Sequence, residues 1–302
     1  VNKQPASPII TLHKAYSTDG IELDSILFTP REKTDKLIIH VHGKEGHFIQ
    51  NHFVTYMGNA YPQHGYALLT FNNRGHDYMA DLLKKTSTGY AWEQGGSVFD
   101  ILEHAMYDLE GVVGLAQSLG FSEIILQGHS LGPHKICYYL THAKKPPVSK
   151  LIFLTTADVQ YQFDSSVPDW QKHSLLAKRM IDDGKGKELM PIRLWSNCPV
   201  SAATFWNYTG PDTNCFVFNG THPDMEFKNF DKVTLPMLIV NPENDVATGI
   251  RQEDMIALLR KKSVSKHLTT HIIPDAVHNF LGKENELTRV VIEWLESQNT
   301  QT

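Results

Sequence analysis

Short apolar runs recur along this chain, separated by turn formers and by longer stretches of helical spacing. Ile9-Ile10-Thr11-Leu12 and Ile21-Glu22-Leu23-Asp24-Ser25-Ile26-Leu27-Phe28 flank Thr18-Asp19-Gly20. The Asp-Gly turn and the apolar–polar alternation of the second run predict an antiparallel hairpin. Residues 37–42, 66–71, 123–127, 151–155, 237–240 and 268–273 are apolar, strand-length and bounded by turn formers, as strands buried on both faces of a parallel sheet are. Helical spacing occupies 98–119, 136–142, 252–261 and 287–295. This alternation predicts an α/β fold whose mostly parallel sheet is covered on both faces, with the opening hairpin as its antiparallel edge.

The rhythm stops between residues 158 and 235. No buried strand is legible there, while Trp170, Trp195, Phe205, Trp206, Tyr208, Phe216 and Phe218 accumulate. We expect a cap over 158–235, inserted into a core formed by 1–157 and 236–302. Trp170, Trp195, Phe205 and Trp206 are its candidate substrate-binding residues, although aromatic clusters of this kind also serve as plain core. There is no internal repeat and no low-complexity segment.

Composition narrows the possible partners. Hydrophobic residues make up 41% of the 302 and charged residues 20%, ordinary globular usage that supports a sizeable core. The net charge is -5 and the 28 Lys and Arg are scattered, which argues against a phosphate-tracking surface for nucleic acid. No apolar run has the length of a signal peptide or a membrane span, so the expected location is cytoplasmic, with no membrane partner. The oligomeric state is not legible. Cys137, Cys198 and Cys215 lack metal-site or disulfide-framework spacing and read as small buried hydrophobes. Were the protein exported, Cys198 and Cys215 could pair, and Asn207-Tyr208-Thr209 and Asn219-Gly220-Thr221 would be glycosylation acceptors.

Candidate chemistry centres on Gly128-His129-Ser130-Leu131-Gly132. A bare GxSxG pattern arises by chance in roughly one chain in ten of this length, so the context has to carry it. Here a strand precedes the pattern and a helix follows, which places Ser130 on a tight strand-to-helix turn. The flanking glycines answer to close backbone approach on either side, and the helix directs its positive end at a developing anion.

A serine nucleophile needs a histidine base and an orienting carboxylate, expected in the order Ser, acid, His, each past a strand. Asp245 follows the run 237–240 and is the acid candidate, with Glu243 as competitor. Of the sixteen histidines, His278 is the base candidate because it follows the strand 268–273 at the end where ligands meet an open α/β sheet. The backbone amides of Leu131 and of Lys44, in Gly43-Lys44-Glu45-Gly46, are the candidate oxyanion donors. A rival metal reading exists for His40-Val41-His42 with His47, since alternate strand residues share a face. No acidic residue completes it, so no metal site is assigned.

Together these residues resemble the α/β-hydrolase superfamily of serine hydrolases. His42-Gly43, Asn73-Arg74-Gly75-His76, the Gly128–Gly132 elbow, Asp245 and His278 carry the resemblance, which spans nearly the whole chain outside the cap. It implies a mostly parallel eight-stranded central sheet and cleavage of an ester, thioester or amide through an acyl-enzyme, with no dissociable cofactor. It makes Asn73-Arg74-Gly75 a structural turn. Within the cap, Lys185-Gly186-Lys187-Glu188-Leu189-Met190-Pro191 and Pro199-Val200-Ser201-Ala202 are faintly similar to hydrolases related to siderophore esterases. Two features depart from the pattern: the charged pair Lys44-Glu45, where many relatives carry small apolar residues, and a cap longer than a minimal lid.

The expected activity is hydrolysis of a small-molecule carboxylic ester through Ser130, His278 and Asp245. A biosynthetic thioesterase is the near alternative, and a non-catalytic ligand receptor on the same fold is the alternative of another class.

Overall fold

A computed structural model describes residues 7–299. The chain opens with β1 (Ile9–Tyr16) and β2 (Glu22–Thr29), followed by β3 (Lys36–Val41), α1 (His52–Ala60), β4 (Ala67–Phe71) and a hairpin of β5 (Ala80–Thr86) and β6 (Gly89–Gly95). Next come α2 (Ala105–Ser118), β7 (Glu123–His129), α3 (Gly132–His142), β8 (Lys150–Leu154), α4 (Val159–Ser166), α5 (Trp170–Asp182) and α6 (Ala202–Thr209). The chain closes with β9 (Met237–Asn244), α7 (Gln252–Lys262), β10 (Leu268–Val277) and α8 (Glu284–Asn299).

Eight strands form one sheet in the order β1-β2-β4-β3-β7-β8-β9-β10. The first two pairings are antiparallel, with Ile9 opposite Thr29 and Tyr16 opposite Glu22 at the hairpin ends. From β4 to β10 every pairing is parallel. Alternation along the strands feeds two separate cores. Leu37, Ile39, Leu126, Phe153 and Ile239 pack under α2, α3 and α7. Their neighbours Ile38, Ile125, Ile152, Leu238 and Val240 pack under α1 and α8. Strands apolar at consecutive positions are therefore those with helices on both sides.

Between β8 and β9 the chain leaves the sheet. Val159, Phe163, Phe205, Tyr208 and Phe216 gather around a third apolar cluster, which rests on Leu131 and Leu102. Val217, Phe218, Phe227, Phe230 and Val233 return to the core beneath α2, α3 and α7.

Several elements differ from the sequence expectation. The helical stretch read from residue 98 begins as an α-helix only at Ala105, after a 3-10 turn over Leu102–His104. β10 continues past Ile273 to Val277 across a register shift, because Pro274 and Asp275 bulge the strand instead of ending it. The short helix α1 and the β5–β6 hairpin were not legible in the residue pattern at all.

Candidate active site

Ser130 opens the turn between β7 and α3 with φ at +58°, a left-handed conformation that non-glycine residues adopt only when their surroundings impose it. Two bonds impose it here: the Ser130 N–H donates to the Leu154 carbonyl at 3.1 Å and to Thr155 Oγ1 at 2.9 Å. Crowding explains the glycines. A Cβ at Gly128 would lie 2.6 Å from the Pro133 nitrogen, and one at Gly132 would lie 2.2 Å from the Val41 carbonyl oxygen. The loop after β3 approaches just as closely, since a Cβ at Gly43 would sit 2.7 Å from Ser130 Cβ and 3.1 Å from the Leu131 nitrogen.

His278 and Asp245 meet Ser130 from the ends of β10 and β9. The Ser130 hydroxyl lies 3.0 Å from His278 Nε2, and His278 Nδ1 lies 2.8 Å from Asp245 Oδ1. A carboxylate can only accept, so Nδ1 carries the proton and Nε2 offers its lone pair to the hydroxyl. Asp245 is anchored by a second bond, from the Ala247 N–H at 2.9 Å. Its side chain is fully buried, whereas that of His278 is 24% exposed, so the imidazole faces the cavity and its carboxylate stays dry. Glu243, the competing acid, instead accepts the Asp275 N–H at 2.8 Å on the exposed side.

The cavity above the serine measures about 450 Å³. Gly43, Lys44, Leu131, Ser130 and His278 line it together with Asn51, Gln162, Ser165, Val159 and Trp195. Helix α4 thus forms one wall, and its Gln162 Nε2 donates to the Val246 carbonyl at 3.2 Å beside the acid-bearing loop. Of the four aromatic residues expected to line a pocket, Trp195 does so. Trp170, Phe205 and Trp206 pack instead into the apolar cluster around Phe163, because that cluster needs large rings to fill it and draws them away from the cavity.

The Lys44 side chain is buried rather than solvent-facing. It pairs with Glu45, donates to Cys198 Sγ at 3.0 Å and lies 5.7 Å from the centre of the Trp195 ring. The charge noted at this loop is therefore neutralised within the wall. Burial pushes the Cys198 thiol up despite the nearby ammonium, and all three cysteines are unpaired. His40 in β3 and His42 just after it are each hydrogen-bonded within the fold. Gln127 donates to His40 Nδ1 at 3.0 Å, and the Asn73 N–H donates to His42 Nε2 at 3.1 Å, pinning the Asn73-Arg74-Gly75 turn. Burial holds His40 down at about 3 and His42 well below the ordinary histidine value.

Thr155, Asn51 and His129 also belong to this site and were not singled out from the sequence. His129 stood inside the elbow pattern, but nothing in its spacing separates a structural imidazole from an idle one.

A family model described as "protein of unknown function (DUF1749)" matches residues 99–298. The chain belongs to that family. The match begins before α2 and takes in Ser130, Asp245 and His278, so the trio lies within the portion shared with the family. Comparison with curated protein sequences finds no match. Among solved structures, Est1E from Butyrivibrio proteoclasticus with ferulic acid bound is similar at 19% identity and a TM-score of 0.63, covering 95% of this chain and 99% of that one. Siderophore hydrolase EstB from Aspergillus fumigatus is similar at 15% identity and a TM-score of 0.65, covering 98% and 99%. A soluble variant of monoglyceride lipase from Saccharomyces cerevisiae is similar at 14% identity and a TM-score of 0.65, covering 97% and 96%. Likeness over this much of each chain makes this member of the family an α/β hydrolase in fold.

Proposed function

We propose that the protein is a serine hydrolase that cleaves a carboxylic ester of a small molecule. The observation that carries this reading is the unbroken relay from Ser130 Oγ through His278 to buried Asp245. Serine at its own pKa is a weak nucleophile and needs that relay to react at neutral pH.

Ser130 Oγ attacks the carbonyl carbon while His278 Nε2 takes its proton. Asp245 holds the ring in the productive tautomer and stabilises the imidazolium that forms. The tetrahedral oxyanion is met by the backbone amides of Leu131 and Lys44, whose loops the glycine contacts bring against the serine. His278 then returns the proton to the departing alcohol. Water, activated by the same histidine, releases the acid from the acyl-enzyme. The segment from α4 through α6 acts as a cap, with α4 and Trp195 as its contribution to the pocket. Ester chemistry in the names of the structural neighbours agrees with this reading and leaves the substrate of this chain to be found by screening.

The test is direct. Ser130→Ala and His278→Ala should each lower turnover of aryl and short-chain acyl esters by roughly 10³-fold or more, and a fluorophosphonate probe should label Ser130 in the unmodified protein alone. Normal turnover in either variant defeats the assignment. Absence of labelling, beside a control hydrolase that labels, favours the ligand-receptor reading.

A further inference from the structure

Next to the trio stands a buried imidazole that the proposed chemistry does not use. His129 precedes Ser130 in the elbow, and both of its ring nitrogens are engaged. Nε2 lies 2.9 Å from the backbone carbonyl oxygen of His278, and Nδ1 lies 3.3 Å from Asn51 Nδ2. A carbonyl only accepts, so the proton belongs on Nε2, leaving Nδ1 a lone pair for the Asn51 amide. The opposite tautomer would aim a lone pair at the carbonyl oxygen. Burial, with the neighbouring His278 adding to it, holds His129 well below the ordinary histidine value, so the ring stays neutral.

Asn51 supports this assignment from its own side. It occupies the N-cap position of α1, where asparagine normally accepts a bond from the first helical N–H groups. Its side chain makes no such bond and is turned to His129 instead.

The backbone around His278 has need of an anchor. Asp275 at φ +57° and Phe280 at φ +53° bracket it in the left-handed region, and β10 slips its register between Ile273 and Val277. Backbone preferences of these residues favour other conformations. The His278 ring also rests beside the His129 ring, with centroids 5.2 Å apart.

We propose that His129, kept as the Nε2–H tautomer by Asn51, is a positioning residue whose bond to the His278 carbonyl sets the reach of the His278 imidazole to Ser130 Oγ. This inference rests on the reading of His278 as the base. Misplacement of a reacting group by about 1 Å costs roughly 10²-fold in rate, which fixes the scale of the effect.

The experiment combines kinetics with nitrogen NMR of 15N-histidine-labelled protein. In the unmodified protein, the ring signal that disappears in His129→Gln should show a protonated Nε2 and an unprotonated Nδ1. His129→Leu should lower kcat on a reporter ester by roughly 10- to 10²-fold with KM little changed. His129→Gln, whose amide N–H can reach the same carbonyl, should recover most of that loss. Asn51→Leu should lower kcat less and leave the His129 tautomer mixed, and it serves as the kinetic test if His129→Leu does not fold. An Nδ1–H tautomer in the unmodified protein overturns the proposal. So does unchanged kcat in a folded His129→Leu protein whose His278→Ala counterpart is inactive. Full activity in His278→Ala removes the base reading itself, and the positioning role with it.

Discussion

Ser130 is held at φ +58° by the Leu154 carbonyl and the Thr155 hydroxyl. A β-carbon in that region costs about 1 kcal/mol or more relative to glycine. Ser130→Gly and Ser130→Ala both remove the hydroxyl, yet the glycine variant should be the more stable of the two by about 1 kcal/mol. Equal urea midpoints would show that the elbow carries no strain. At Gly132 the constraint is steric, because a Cβ there meets the Val41 carbonyl oxygen at 2.2 Å. Gly132→Ala should therefore destabilise by roughly 1–3 kcal/mol, measured by the same titration. At this scale the sequence pointed to residues that the structure brings together: the elbow serine, its crowded glycines, and a carboxylate and a histidine past β9 and β10. It was silent on His129 and Asn51, whose roles depend on a carbonyl 149 positions away from His129 in sequence, and on no local pattern.

Helix α4 shows how one element is tied to the site. Asp158 caps it by accepting the Tyr161 N–H at 2.9 Å, and its other oxygen takes the Thr221 N–H and hydroxyl at 2.9 and 2.8 Å. Removing this buried cap in Asp158→Ala should cost roughly 1–3 kcal/mol and open residues 159–166 to limited proteolysis. An unchanged cleavage pattern would mean that packing alone holds the helix. The eight sheet strands were legible because burial on both faces or clean alternation leaves an apolar signature. The β5–β6 hairpin was not, since its Tyr90 and Trp92 are exposed and their alternation signals the wrong side. Helix α1 escaped for another reason: Gly58 makes room for the Phe28 ring, 2.8 Å from where its Cβ would be, at the expense of helical propensity. The same competition misled the pocket assignment, where aromatic residues of one segment divide between its interior and the cavity.

Across the molecule, burial of imidazoles predicts how the fold responds to acid. His40 and His134 are held down at about 3, and His42 and His129 lie well below the usual value, in each case chiefly by burial. Their folded pKa values lie below the unfolded value near 6.5, so the unfolded chain binds more protons as pH falls past that point. Stability should be fully expressed above pH 6.5 and decline from there toward pH 3, with a slope approaching about 1.4 kcal/mol per pH unit for each such histidine. Urea unfolding at pH 7, 6 and 5 measures it, and a flat profile would contradict the burial of these rings. Asp19 acts in a lower window. Burial alone would raise its carboxyl, but bonds from Arg74 and Ser17 outweigh it and hold the group at about 2. That contribution is present above about pH 4 and lost as pH falls through 2, so Asp19→Asn should differ from the parent at pH 6 and converge with it below pH 2. The order of the strands has a last consequence, in time. Ser130 follows β7, whereas His278 follows β10, which is the final strand and lies at the far edge of the sheet. A chain growing from its amino end therefore carries its serine for well over a hundred residues before the imidazole exists. On the proposed chemistry, the nascent polypeptide stays chemically quiet until its last strand docks, and the ability to react arrives together with completion of the fold.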